Sequence, residues 1–247
     1  MDLLELISHH LLDHALFSFT AAGHHFVFTK HMMMIALVST LLMIAIPWAA
    51  KKAGSIPRGF YNLIEVYVLF VRDKIVLPSI GRHGERYLGY FLSLFLFILL
   101  SNLLGLIPGS AASTGNILVT GSLAMGTLGL ISFAGIKEHG IWGFIKSFVP
   151  AGVPAALVPL VFVLEVFGLF IRCSVLAVRL FANMVAGHAV MLLFFALVFL
   201  IGSMAIAPVS IGIVIFVLFI ELLVAFLQAY IFTMLSAIFV GLAVHSH

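Results

Sequence analysis

From Pro159 to Ile201, 43 residues run without a further proline or a turn cluster. As one helix this run is about 65 Å long, roughly twice the ~30 Å hydrocarbon core of a bilayer. Gly168 and Gly187 are isolated within it and flanked by good helix formers, so neither marks a hairpin turn. A second unbroken run, Val209 to Val244, is about 54 Å long as a helix. Only GSMAIAP separates the two. Two antiparallel helices this long fit a membrane by tilting beyond the usual ~20°. Lipid alone does not favour such a tilt, whereas a partner surface does.

The remaining sequence agrees with a membrane setting. Hydrophobic residues make up 64% of the 247, charged residues 9%, and mean hydropathy is +1.29. A soluble domain carries about a quarter charged residues. The fold class expected is therefore all-α and polytopic, one membrane domain over 1–247, with about five membrane helices and one interfacial amphipathic helix. Span 1 falls at 32–50, span 2 at 87–107 and span 3 at 116–136, and the long tilted helices at 155–202 and 209–245. Between the first two spans, FYNLIEVYVLFVRDKIVL mixes apolar and charged residues at helical spacing, so 55–78 reads as a helix lying on the membrane surface. PGSAASTGN is a turn-rich loop and KEHGIWGFIKSFVPAG (137–152) a polar break. Residues 1–31 form an outer segment. It begins MDLLELISHH and lacks the basic stretch of a signal peptide, so no cleavage is expected.

Orientation follows from the basic residues. Seven of the twelve Lys and Arg lie in 51–86, and Lys137 and Lys146 fall in the next loop on that side. The positive-inside rule places both termini accordingly, the N-terminus outside and the C-terminus inside. The basic residues are too few and too scattered for nucleic acid. One cysteine, Cys173, excludes a disulfide framework and any cysteine-based metal cluster. No internal repeat is visible, unlike many secondary transporters.

Residues 151–247 hold four Asp, Glu, Lys or Arg side chains: Glu165, Arg172, Arg179 and Glu221. A mid-span arginine costs at least ~2.5–3.5 kcal/mol, so an intramembrane charge reads first as function. Glu165 and Arg172 are seven apart, which allows a weak direct ion pair as the alternative. Arg179 has no acidic residue within four positions. At 100° per residue, Glu165, Arg172 and Arg179 lie within about 40° of one line, with Asn183 on the same side. His188 is turned about 180° from Arg179. On the second helix Glu221 and Gln228 share a face. Antiparallel pairing about the GSMAIAP turn puts His188 level with Glu221, and Arg179 level with Gln228. Glu165 and Arg172 lie deeper, toward the inside. His188 and Glu221 at one depth could pass protons near neutral pH, or His188 could simply be a packed side chain. Asn183 and Gln228 could bond neighbouring helices, the commoner fate of membrane amides. Ser101, Asn102 and the glycines of 121–130 read as residues that allow close helix packing.

AVRLFANMVAGH (177–188) followed by ELLVAFLQAYIFTML (221–235) closely resembles the signature helices of the a subunit of F-type ATP synthases. The likeness extends to the amphipathic helix after span 1 and to SNLLGLIPG at the end of span 2. With His on the first helix and Glu on the second, it resembles the mitochondrial and alphaproteobacterial branch. The resemblance implies a stator subunit with no catalytic site of its own and no cofactor. Its partners would be a c-subunit ring, the b/b′ peripheral stalk and the lipid bilayer, in a bacterial inner membrane (or that of a mitochondrion). Arg179 would face the ring carboxylate, with His188 and Glu221 in the outer half-channel and Glu165 in the inner one. Asn183 and Gln228 would position Arg179 and water, and Arg172 has no assigned role. The STGN loop departs from the family's usual acidic form.

Three other classes compete. A secondary transporter or channel with Arg179 as its ion site should show repeats or helices broken by Gly and Pro. A haem subunit needs paired axial ligands, and His188 is the only histidine well inside a span. A purely structural anchor has no use for Arg179.

Overall fold

The computed structural model describes residues 15–21, 24–51, 60–107, 112–149, 153–201 and 207–245. The acidic start of the chain, residues 55–59 of the amphipathic segment, the head of the PGSAASTGN loop at 108–111 and positions 202–206 of the hairpin turn lie outside the described residues.

Two short strands come first, β1 (Ala15–Ala21) and β2 (His24–Thr29), paired antiparallel with Thr20 opposite His25 and Phe17 opposite Phe28. The expected outer segment thus contains a hairpin that a helical reading did not anticipate. ALFSFTA and HHFVFT are rich in the aromatic and β-branched types that favour strands. Everything after it is helical: α1 (Lys30–Lys51), α2 (Phe60–Val71), a π turn at Arg72–Val76, α3 (Leu77–Ile80), a 3-10 stretch at Gly81–Tyr87 and α4 (Leu88–Gly105). A 3-10 turn at Ser113–Gly115 leads into α5 (Ile117–Ser147), followed by α6 (Val158–Ile201) and α7 (Ala207–Val244). The last two contain 44 and 38 residues, so the long hairpin exists with ends within a few residues of expectation. Four stretches are long and apolar enough to cross a membrane, beginning at Asn62, Ile117, Val158 and Pro208, and Lys30–Ile44 is a shorter apolar helix.

The first of those stretches is not one rod. Gly81 has φ 72° and ψ −161°, a conformation open mainly to glycine, and the chain reverses there. Pro78 has no N–H to give the Lys74 carbonyl, and the helix widens into the π turn just before it. The segment expected at 55–78 therefore returns along α4. The Tyr67 hydroxyl donates to the Leu92 carbonyl, and the Phe70 ring meets Phe95 at 5.9 Å and Tyr230 at 5.9 Å. Leu63, Val66 and Leu69 face outward.

α5 corrects the expected boundary of span 3. The helix continues through Lys137 and Glu138 and breaks only at Gly140 (φ 72°, ψ 171°). A last helical piece, 141–147, then folds back so that Phe144 lies against Gly135. The break needs one residue with left-handed backbone, so a general polar character over 137–152 overstated it. Arg86 pairs with Glu138 at 3.0 Å, and His139 Nε2 lies 3.0 Å from the Val244 carbonyl. The charged stretch before α4 and the 137–146 segment therefore meet at one end of the bundle.

Helix association in lipid relies on close packing and hydrogen bonds, because burial against an apolar solvent contributes little. The buried stripe of α7 has that composition: Ala225, Gln228, Ala229, Phe232, Thr233, Ser236, Ala237, Val240 and Gly241 recur at spacings of three and four. A Cβ on Gly241 would run into the Ser79 carbonyl, so the backbones of α3 and α7 nearly touch. Phe91, Phe95 and Ile98 of α4, Leu176 and Leu180 of α6, and Val71, Ile75, Val76 and Ile80 before α4 are fully buried with it. Gly241→Val should destabilise the solubilised chain by about 1–3 kcal/mol in a thermal unfolding assay. Gly121→Ala, where nothing lies within 4 Å, should leave it unchanged.

Candidate functional site

The polar side chains of the hairpin occupy three levels. At the level farthest from the charged end, the Glu221 carboxylate of α7 lies directly on the backbone of Gly187, in the space a Cβ there would fill. This agrees with the expected pairing of His188 with Glu221 to within one residue. The imidazole itself turns sideways. His188 Nδ1 lies 2.9 Å from the Met184 carbonyl one turn back, and Nε2 lies 3.0 Å from the Gly105 carbonyl at the end of α4. A straight helix cannot aim both His188 and Arg179 at α7, and in the structure it aims neither: His188 turns to α4 and Arg179 points outward. Gly105 allows that approach, since a side chain there would strike Met184 and Ala112.

At the second level, Asn183 Nδ2 donates to Gln228 Oε1 at 3.0 Å. The partner of Gln228 is therefore Asn183, one turn beyond the expected Arg179. Helix rotation is the reason: Arg179 points out of the bundle and is exposed, and among the described residues it has neither ion pair nor hydrogen bond. Its neighbours on that outer face are Val175, Val178, Ala182, Asn183 and Ala186, all exposed and mostly small.

At the third level, Glu165 and Arg172 form an ion pair at 3.6 Å, and the Arg172 guanidinium stands 6.0 Å from the centre of the Phe239 ring. Both side chains are about two-fifths exposed, so the pair contributes at most about 1 kcal/mol. They line a cavity of about 130 Å³ with Phe144, Ser147, Phe148 and Leu242 near the charged end.

A second cavity, of about 20 Å³, links the first two levels. Asn102 and Leu106 of α4, Leu180, Asn183 and Met184 of α6, and Glu221, Val224, Ala225 and Gln228 of α7 enclose it. Both Glu221 carboxylate oxygens and Gln228 Nε2 are buried without a hydrogen-bond partner. Asn102 is 2% exposed; its Nδ2 donates to the Ala225 carbonyl at 3.4 Å and its Oδ1 accepts from Thr114 Oγ1 at 2.7 Å. From sequence Asn102 reads as a packing residue and Thr114 as part of a loop. The signal available was an amide in an otherwise apolar helix end, facing a polar loop. Of the six expected residues, the structure brings Glu221, Asn183 and Gln228 to one cavity and His188 beside it. Arg179 stands on the outer face, and Glu165 is apart. Because Glu221 occupies the space over Gly187, Gly187→Ala should lower the stability of the solubilised chain by about 1–3 kcal/mol. Adding Glu221→Ala should restore most of that loss, and a double-mutant cycle on thermal unfolding checks the coupling.

Comparison with known proteins identifies the family. A sequence model of the ATP synthase A chain matches residues 31–241, from α1 nearly to the end of α7. "ATP synthase subunit a 2" of Chlorobaculum tepidum is 41% identical over 256 residues, covering 97% of this chain and 72% of the relative. The ATP synthase subunit a of Myxococcus xanthus is 42% identical, covering 89% of this chain and 74% of its own length. That of an Anaeromyxobacter strain is 43% identical over 89% of this chain but only 55% of the relative, so the chain spans little more than half of some relatives. With the matched region containing nearly all of the hairpin and its three polar levels, the chain belongs to the ATP synthase A chain family.

Proposed function

We propose that this chain is the proton-translocating stator subunit a of the membrane sector of an F-type ATP synthase, coupling proton flow to rotation of a c-subunit ring. The observation that carries the reading is Arg179: a permanent cation on an outward face, without a partner among the described residues and bordered by Ala182 and Ala186. Small residues let a second helix approach closely, and a fixed positive charge favours the ionised form of a carboxylate brought to it. The partner is then a ring of helices each bearing one carboxyl group. Arg179 keeps each carboxylate ionised as it crosses the stator, which blocks direct passage between two offset half-channels.

Glu221 and His188 serve the outer half-channel and Glu165 the inner one, where the cavity it shares with Arg172 opens near the charged end. Asn183 and Gln228 position water and the Arg179 surroundings. The basic residues support placing that charged end inside, with the N-terminus outside, in a bacterial inner membrane. The outward Leu63, Val66 and Leu69 and the charges at 72–74 support a shallow, interfacial setting for α2. Further partners are the b/b′ subunits of the peripheral stalk, and the subunit carries no catalytic site of its own. The order of His188 and Glu221 along the hairpin supports the alphaproteobacterial and mitochondrial pattern.

In the assembled enzyme, Arg179→Ala should reduce gradient-driven ATP synthesis by at least about a hundredfold while passive proton leak through the membrane sector is retained or rises. Normal coupled synthesis in that variant, measured in energised vesicles, would overturn the reading. His188→Ala and Glu221→Ala should each impair proton transport, and the double variant should lose less than the combined losses. Strictly additive losses in a proton-pumping assay would separate the two residues.

A further inference from the structure

Thr114 stands in a loop that neither the family comparison nor the hairpin chemistry singles out, yet it is 0% exposed. Its hydroxyl sets the direction of a neighbouring amide. The Ala225 carbonyl only accepts hydrogen bonds, so the atom of Asn102 facing it is Nδ2. Asn102 Oδ1 therefore faces Thr114 and accepts its proton at 2.7 Å. A similar constraint acts across the cavity. Asn183 Nδ2 donates to Gln228 Oε1, which leaves Gln228 Nε2 as the free end of a side chain only 3% exposed. Both amide oxygens are thus engaged; Gln228 Nε2 is left without a partner, and Asn102 Nδ2 keeps a second N–H beyond the one given to Ala225, with both residues lining the same small space. The third polar group on that space is the Glu221 carboxylate, whose two oxygens are buried without partners.

The space matches what these groups can bind. A cavity must offer about 10–15 Å³ to hold one water, and that water needs two to four polar partners. The cavity between α4, α6 and α7 measures about 20 Å³ and has N–H donors on two sides and carboxylate acceptors on a third. Leu106, Leu180, Met184, Val224 and Ala225 form the rest of its wall and limit it to about one molecule. It also lies on the line between the buried Glu221 and Asn183, which reaches the outer face beside Arg179.

We propose that Thr114 and Asn102 are positioning residues of the proton path: Thr114 orients the Asn102 amide, which with Gln228 holds one water against the Glu221 carboxylate. The loop at 113–114 then acts on transport through a neutral hydroxyl and amide, without an acidic side chain of its own. In one direction the Glu221 carboxyl gives its proton to the water, which passes one of its own to a ring carboxylate standing beside Asn183 on the outer face. The carboxylate is later reprotonated from the outer side, so charge and atoms balance over the cycle. This proposal rests on the reading of the chain as the proton-conducting stator subunit.

The test compares Thr114→Val, which keeps the side chain's shape and removes the hydroxyl, with Thr114→Ser, which keeps the hydroxyl. Both are made in the complete ATP synthase, reconstituted into liposomes and energised by a pH step and a potassium diffusion potential. ATP synthesis is followed as the pH on the outer side is varied. An unpaired Asn102 oxygen should lower the rate for Thr114→Val roughly tenfold and alter its dependence on outer pH. Thr114→Ser should stay within about twofold of the parent in both respects. Asn102→Leu should match Thr114→Val, and the double variant should be little worse than either. This second variant keeps the idea testable should Thr114→Val assemble poorly. Equal loss in the Val and Ser variants, or a lowered rate with an unchanged pH profile, would reduce Thr114 to a packing residue and overturn the proposal. So would parental behaviour in Thr114→Val. A parent enzyme that makes no ATP under a proton gradient would instead defeat the functional reading on which the proposal stands.

Discussion

A guanidinium cannot be neutralised at any ordinary pH, so an arginine in an apolar helix must be given a partner, water or a lipid headgroup. Arg179 receives none of these from its own chain among the described residues. The nearest carboxylate in sequence, Glu165, is already engaged with Arg172. Glu221 sits inside the bundle on Gly187, while Arg179 faces outward. The two acidic groups that could have silenced the charge are thereby held away from it. That separation governs the rest of the architecture. The hairpin needs small residues along the face that carries Arg179 and a tight polar interior on the face that carries Glu221, and α6 supplies both on opposite sides.

Close backbone approach is what makes the interior tight. Gly241 against Ser79, Gly187 under Glu221 and Gly105 beside Met184 are three places where a methyl group would collide. Each lies where a polar group or a carbonyl must be reached: the Ser79 carbonyl, the Glu221 carboxylate and the Gly105 carbonyl that meets His188. In lipid, where apolar burial gives helices little reason to associate, such contacts and the hydrogen bonds beside them hold the bundle together. The Tyr90–Thr127–Ser236 hydroxyl chain, at 3.2 and 3.3 Å, ties α4, α5 and α7 in the same manner.

What could be read from the sequence was what depends on local pattern. The lengths of α6 and α7, their antiparallel register and the shared face of Glu221 and Gln228 all follow from 3.6-residue periodicity and the absence of turn residues. Interactions that depend on a third helix were not visible. His188 could be placed at the depth of Glu221, but not turned toward Gly105, because α4 enters neither periodicity. Asn102 and Thr114 became part of the site only through an oxygen on α7, more than a hundred residues away. The strands at 15–29 fall in the stretch that reads as an outer segment, and a two-stranded pairing depends on contacts between segments that periodicity along one of them does not show. The helix past Lys137 was missed because charge was taken as a stop signal, whereas the stop is the backbone of Gly140.

The two cavities are separated by a packed layer inside the bundle. Between the Glu221 cavity and the Glu165 cavity, α6 presents Cys173, Leu176 and Ala177 to the core, and α7 presents Ala229 and Phe232. Leu176 is 1% exposed and Phe232 0%, and the buried polar side chains of the hairpin in this layer are Thr233 and Ser236. Thr233 donates to the Ala229 carbonyl of its own helix, and Ser236 lies beside Thr127 on the far side. Along α6 the apolar-packed interval from Arg172 to Leu180 is about 12 Å, too far for a single proton transfer. Arg179 lies in that interval, on the outside. In the proposed mechanism a proton that enters at Glu221 reaches Glu165 only by way of a group that passes over the outer face, and Arg179 sets the charge which that group bears as it passes.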